Sequence, residues 1–149
     1  PAELPYNKGR HPLIWALVLG LERTASTLFF MDSTADTGRI ISQEYVDIEY
    51  TDDAGTLYHK VMQVAVKQLE RTLYNFPEHE LEHISKMEPS AKTGNTWRKR
   101  GVGDGVIDWR MSSRGIYNLV RGLTKPYVGA HFNYQGQAYK KLLQINIKT

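Results

Sequence analysis

Ser26-Thr27-Leu28-Phe29-Phe30-Met31 runs straight into Asp32-Ser33-Thr34-Ala35-Asp36-Thr37-Gly38, and that junction decides the fold class. The first six residues are dense in Thr, Leu and Phe, the composition of a buried strand. The next seven are polar and turn-forming. A carboxylate at Asp36, just past an apolar strand and close to a glycine, stands where α/β folds place working residues, outside the carboxyl end of a strand. The other reading of Asp36 is a turn residue that bonds its own backbone. Spacing alone keeps both open.

Upstream of the junction, Leu4 to Pro12 holds two prolines beside Gly9 and reads as a loop. Pro12 suits the first turn of a helix, and Leu13-Ile14-Trp15-Ala16-Leu17-Val18-Leu19 continues it until Gly20. Apolar almost all round, this helix is expected to be buried. Downstream, Ile40 to Ile48 favours β structure with poor alternation, the mark of an edge or bent strand. Thr51-Asp52-Asp53 then offers capping and acidic residues to a long helix. Along it Leu57, Val61, Val64, Ala65, Leu69 and Leu73 recur at the helical period until Asn75-Phe76-Pro77. A short helix over 78–87 and a loop after Pro89 are expected next, then a short strand over Val106–Trp109. Ser112 caps a second amphipathic helix with Ile116, Leu119, Val120 and Leu123 on one face. Ala130–Tyr134 and Gln137–Leu143 flank Gln135-Gly136 as a hairpin. Strands alternating with helices, plus an antiparallel appendage, predict an α/β protein.

Composition narrows the function classes. The chain has 149 residues, 19 Lys and Arg against 16 Asp and Glu, and a formal charge of +3. With 41% apolar and 23% charged residues it reads as one globular domain rather than a disordered or collagen-like chain. No apolar run approaches the roughly 20 residues of a membrane span. The absence of cysteine excludes disulfide scaffolds, thiolate zinc sites and cysteine nucleophiles within these residues. The small, dispersed basic excess gives little support to generic nucleic-acid binding.

Three motifs remain to be weighed. His79-Glu80-Leu81-Glu82-His83 fits the H-E-x-x-H pattern of zinc hydrolases, with two imidazoles one helical turn apart. Its polar, acid-rich surroundings favour a solvated helix, because a catalytic zinc needs a third protein ligand and a pre-formed pocket. Trp97-Arg98-Lys99-Arg100 puts cations beside an aromatic, suited either to a phosphate contact or to a solvated loop. Arg110, Arg114 and Arg121 suggest a second basic face, read here as solvated.

Several of these blocks, in this order, carry a resemblance. Leu4-Pro5-Tyr6-Asn7-Lys8-Gly9-Arg10-His11-Pro12 with Leu13-Ile14-Trp15-Ala16, then Glu22 to Asp32, then Ala35-Asp36-Thr37-Gly38-Arg39-Ile40-Ile41-Ser42-Gln43 resemble the N10-formyltetrahydrofolate-dependent formyltransferases. So do Asp104-Gly105-Val106-Ile107-Asp108-Trp109 and Lys125-Pro126-Tyr127-Val128-Gly129-Ala130. The loop wording is closest to the enzymes that formylate sugar-nucleotide amines. The family's active site is an Asn-x-His-Pro motif plus an aspartate. Asp36 matches the aspartate and Pro1 the closing proline, so the asparagine and histidine would precede Pro1. The resemblance therefore implies a C-terminal piece of an enzyme, inactive alone.

The implied fold is the C-terminal part of a Rossmann-like formyltransferase domain, residues 1–105, followed by a helix and a small antiparallel β region, 106–149. The implied activity is formyl transfer from N10-formyltetrahydrofolate to the amine of a nucleotide-linked amino sugar. Asp36 would be catalytic. Ser33, Thr34, Ala35 and Asp36 would meet the folate; Asn7, Arg10, Tyr127, Arg98 and Arg100 would meet the acceptor. No metal, membrane or nucleic acid is implied, and a cytoplasmic homo-oligomer is. The alternatives are a methionyl-tRNA formyltransferase-like fragment and a zinc hydrolase built on His79 and His83.

Overall fold

The computed structural model describes residues 1–75 and 94–141. The order of elements is β1 (Lys8–Gly9), α1 (Pro12–Leu19), β2 (Arg23–Phe29), β3 (Ile40–Asp47), α2 (Ala54–Asn75), β4 (Thr96–Trp97), a 3₁₀ turn (Val102–Gly105), α3 (Ser113–Gly122), β5 (Ala130–Tyr134) and β6 (Gln137–Lys141). The mixed α/β reading holds, and its strands form three small pairs. β2 and β3 pair antiparallel from Arg23↔Asp47 to Phe29↔Ile40. β5 and β6 form the expected hairpin, turned by Gln135 and Gly136 at positive φ. β1 and β4 are a short parallel pair, with Lys8 opposite Thr96 and Gly9 opposite Trp97.

Local signals explain the helix ends. Pro12 opens α1, and Gly20 closes it in the left-handed region, its N–H reaching the carbonyls of Ala16 and Leu17. Asp53 caps α2 by accepting the N–H groups of Gly55 and Thr56, each at 2.9 Å. Ser112 caps α3 through the Gly115 N–H at 3.1 Å.

Two apolar clusters share α1. Leu13, Ala16 and Leu17 join Val46, Ile48, Leu57 and Val61 in one, with Tyr127 packed against it. Val18 joins Ile107, Leu119, Val120 and Ala130 in the other. The two helices meet closely at Gly122, where a Cβ would lie 3.1 Å from Val18 Cγ2 and 3.3 Å from Leu17 Cβ. No described helix is long and apolar enough to cross a membrane.

Three local expectations are corrected. The apolar strand spans Arg23–Phe29 rather than Ser26–Met31, because a bulge at Leu28/Phe29 ends the ladder early. The segment Val106–Trp109 makes only a single parallel bridge, Val106 to His131. There the Asp108 carboxylate takes the Arg110 N–H at 2.9 Å and bends the chain into a turn. Arg121 is not on a solvated face: it is 1% exposed. Its guanidinium donates to Asn118 Oδ1 and to the carbonyls of Glu49, Tyr50 and Asp52, tying α3 to the β3–α2 connection.

Candidate functional site

Asp36 sits at the end of a loop that other residues organise. Asp32 Oδ1 accepts the Thr34 N–H at 2.8 Å and the Thr37 hydroxyl at 2.7 Å, so Asp32 closes the turn. Those bonds hold the Asp32 carboxyl below its ordinary pKa. Asp36 is left to point elsewhere: its Oδ2 accepts the backbone N–H of Gly9 at 3.2 Å, 27 residues away. The Pro1 nitrogen also lies close to it.

Backbone strain gathers at the same place. Asn7 (φ 56°), Gly9 (φ 106°), His11 (φ 58°) and Asp36 (φ 60°) all adopt left-handed φ. Such conformations are uncommon outside glycine and cluster where a chain must present groups at fixed angles. Glycine is required at position 9, where a Cβ would stand 2.3 Å from the Trp97 carbonyl oxygen.

The other expected site residues separate into two groups. Asn7 is spent internally: its N–H donates to Asn95 Oδ1 at 2.9 Å, and its Oδ1 accepts from Trp97 Nε1 and Asn95 Nδ2, each at 3.2 Å. Arg98 is exposed and clamped by both Asp104 carboxylate oxygens, a pairing that holds Asp104 far below the usual carboxylate range. Arg10 is exposed, with its N–H on the Trp97 carbonyl at 3.3 Å. Ser33, Thr34 and Ala35 are exposed beside Asp36.

Arg100 and Tyr127, in contrast, line one cavity of about 380 Å³ with His11, Lys99, Leu123 and His131. Arg100 donates to the Asp104 carbonyl at 2.6 Å and lies 4.6 Å above the Trp15 ring. Burial lowers its pKa, Asp104 raises it and Arg98 lowers it further. Trp15 stacks on Trp97 at 5.0 Å and donates to the Arg98 carbonyl at 3.1 Å. The two histidines of this cavity were not among the expected site residues. His11 stands in the Leu4–Pro12 block without a role assigned to it, and only contacts between distant segments reveal His131. His79 and His83 lie outside the described residues.

The geometry defines an α/β unit with a strained aspartate loop, and comparison with known proteins supplies the family. Residues 1–73 match the formyl transferase family and residues 102–148 match the formyl transferase C-terminal domain. The chain belongs to the formyl transferase family. It is 37% identical over 131 residues to the bifunctional polymyxin resistance protein ArnA of Wigglesworthia glossinidia brevipalpis, covering 88% of this chain and 19% of that protein. It is 35% identical over 133 residues to the methionyl-tRNA formyltransferase of Azobacteroides pseudotrichonymphae, covering 85% and 40%. The chain thus spans less than half the length of either relative. Among solved structures, a methionyl-tRNA formyltransferase from Clostridium thermocellum superposes with TM-score 0.80 at 17% identity, over 95% of this chain and 59% of that one. A sugar N-formyltransferase from a Shewanella species superposes with TM-score 0.74 at 20% identity, over 96% and 58%. At these identities the structural likeness is one of fold.

Proposed function

We propose that this chain is part of a cytoplasmic enzyme that moves a formyl group from N10-formyltetrahydrofolate to the amine of a nucleotide-linked amino sugar, with Asp36 in its catalytic centre. The observation that carries the proposal is the Asp36 carboxylate. It is held by the Gly9 N–H, left out of its own loop's bonding, and set beside the Pro1 nitrogen. A residue preceding Pro1 would enter the site next to that carboxylate.

Formyl transfer is acyl transfer. The acceptor amine attacks the formyl carbon, a tetrahedral oxyanion forms and collapses, the bond to the folate nitrogen breaks, and the proton lost by the amine is passed to that departing nitrogen. The folate supplies the activated formyl carbon. Asp36 supplies no oxyanion donor and is a weak base near neutral pH. Its role is to orient an imidazole from the segment ahead of Pro1 and to stabilise its charged form, as the acid does in other triads. That imidazole takes the amine's proton, and an amide ahead of Pro1 donates to the oxyanion. Ser33, Thr34 and Ala35 lie exposed beside Asp36 where they would meet the folate, with Ser33 and Ala35 supplying the backbone groups, since those of Thr34 are bonded to Asp32 and Thr37. Arg10 stands open to the acceptor, whereas Asn7 and Arg98 act through the segments they fasten. In this reading residues 1–105 complete the catalytic domain and 106–149 form the appended region, and copies of the enzyme associate.

The test is a formyl-transfer assay on the full-length enzyme with two acceptors, a nucleotide-linked amino sugar and methionyl-tRNA. Formylation of the amino sugar is expected. Formylation of methionyl-tRNA alone would move the enzyme to the alternative substrate class.

A further inference from the structure

We propose that Thr27 and Gln43 are positioning residues for formyl transfer: they fix the backbone that follows Pro1 and so hold the chain entering there against the Asp36 carboxylate. The proposal rests on the reading of Asp36 as the partner of an imidazole ahead of Pro1, and names what sets the distance between the two.

The first argument is where two side chains spend their donors. Thr27 and Gln43 stand opposite each other on β2 and β3. Gln43 Nε2 donates to the Leu4 carbonyl and to Thr27 Oγ1, each at 3.0 Å. The Thr27 hydroxyl donates in turn to the Ala2 carbonyl at 2.6 Å. A carbonyl can only accept, so the direction of every bond in this chain is fixed. Both amide protons and the hydroxyl proton are committed to residues 2–4 and to one another. The β2–β3 ladder is closed by its own backbone bonds and does not need them.

The second argument is that the held segment is docked along its length. Arg23, Ala25 and Thr27 alternate onto one face of β2. Arg23 pairs with Glu3 at 3.0 Å, so Ala2, Glu3 and Leu4 are each tied to the same hairpin. Ala25, between the two β2 anchors, is 0% exposed, and Ala2 and Leu4 are 7% and 6% exposed. Three successive anchors over a buried face make this segment a strap rather than a trailing end.

The third argument is that the same hairpin carries the other half of the site. The Phe30 N–H donates to the Arg39 carbonyl at 2.8 Å and closes the base of the Asp36 loop. Gly38 packs so tightly there that a Cβ would stand 1.5 Å from the Phe30 carbonyl oxygen. The Asp36 carboxylate and the Pro1 nitrogen beside it are thus hung from one ladder, the first at Phe30 and Arg39, the second at Thr27 and Gln43. Such common mounting matters because a displacement of about 1 Å between reacting groups can cost roughly a hundredfold in rate. Thr27 and Gln43 act through the backbone they hold.

Steady-state kinetics and urea unfolding of the full-length enzyme test the proposal with Thr27→Val and Gln43→Met, which keep volume and remove the donors. Each should lower kcat about tenfold. KM for the folate and for the acceptor should stay within about twofold, since no substrate contact is lost. Thr27→Ser restores the hydroxyl and should bring kcat back to within about threefold of wild type. In an Asp36→Asn background Thr27→Val should have no further effect on kcat, because the group it aligns has already lost its charge. Gln68→Met is the structural control. Gln68 grips the same hairpin from α2, through the Ser26 carbonyl at 3.3 Å and Ser42 Oγ at 3.0 Å. Its loss should lower the urea midpoint and leave kcat within about twofold. Wild-type kcat in both Thr27→Val and Gln43→Met would overturn the proposal. So would an equal loss of kcat in Gln68→Met, or a full further loss from Thr27→Val on top of Asp36→Asn. If Thr27→Val does not fold, Gln43→Met decides, since Thr27 still holds Ala2 in that variant. A disabled Asp36→Asn beside normal Thr27 and Gln43 variants sinks this proposal alone, whereas a normal Asp36→Asn sinks the catalytic reading beneath it.

Discussion

The Asp36 loop and the Arg100 cavity flank the same short segment, residues 7–11, and are built in opposite ways. The loop is local: Asp32, Thr34 and Thr37 bond one another within six residues and leave Asp36 free to reach Gly9. The cavity is assembled from three separated stretches and is fastened by bonds that span long intervals, such as Asn7 to Asn95. One is acidic and open; the other is basic and partly enclosed. Between them runs a segment in which Asn7, Gly9 and His11 all take left-handed φ.

That contrast can be broken at its supports. The largest stability effect is expected at Arg121, whose guanidinium holds three carbonyls of the β3–α2 connection. Arg121→Ala should cost about 3 kcal/mol, since buried acceptors lose their donor. Urea unfolding would show it as a lower midpoint, and an unchanged midpoint would mean water replaces the guanidinium at no cost. Gly9→Ala should cost about 2 kcal/mol, because it forces a side chain into a left-handed backbone against the Trp97 carbonyl. The same variant should cut turnover of the full-length enzyme by pulling the Gly9 N–H from Asp36. Loss of stability with normal turnover would separate this segment from the catalytic site.

Smaller effects sharpen the picture. Burial opposes ionisation of Asp52, but Lys60 at 2.7 Å, the Glu49 N–H and Thr56 outweigh it and lower its pKa. A carboxylate lowered by folding stabilises above its ordinary value, near pH 4, and that stabilisation fades as pH falls through the folded value. Lys60→Met should therefore cost on the order of 1 kcal/mol at neutral pH, and the difference from wild type should shrink below about pH 4. A difference constant down to pH 2 would count against the pairing. Tyr127→Phe is the mildest change: a few-fold rise in KM for the acceptor, with folate binding untouched. An unchanged KM would leave Tyr127 as packing against the first apolar cluster.

What was legible in the sequence follows the same division. Pro12 and Gly20 bound α1, Asp53 and Ser112 cap the next two helices, and Gln135-Gly136 turns the hairpin, all from signals within a few residues. The Asp36 loop was visible because a strand and a polar turn announce it locally. The cavity was legible only in part: Arg100 and Tyr127 were expected at the acceptor, whereas His11 and His131 were given no role. Arg121 reads as a polar helix position, since periodicity cannot anticipate carbonyls about 70 residues away. Arg98 and Arg100 look alike in sequence, and only Asp104 tells them apart.

The central claim is that Asp36 works on the chemistry rather than on the fold, and Asp36→Asn in the full-length enzyme tests it most directly. Asparagine keeps the shape and an oxygen for the Gly9 N–H while removing the charge, so stability should change by no more than about 1 kcal/mol. Turnover should fall on the order of a hundredfold or more, the scale of disabled general acid–base catalysis, with KM for the acceptor nearly unchanged. Near-normal kcat in a stably folded Asp36→Asn enzyme would contradict the account.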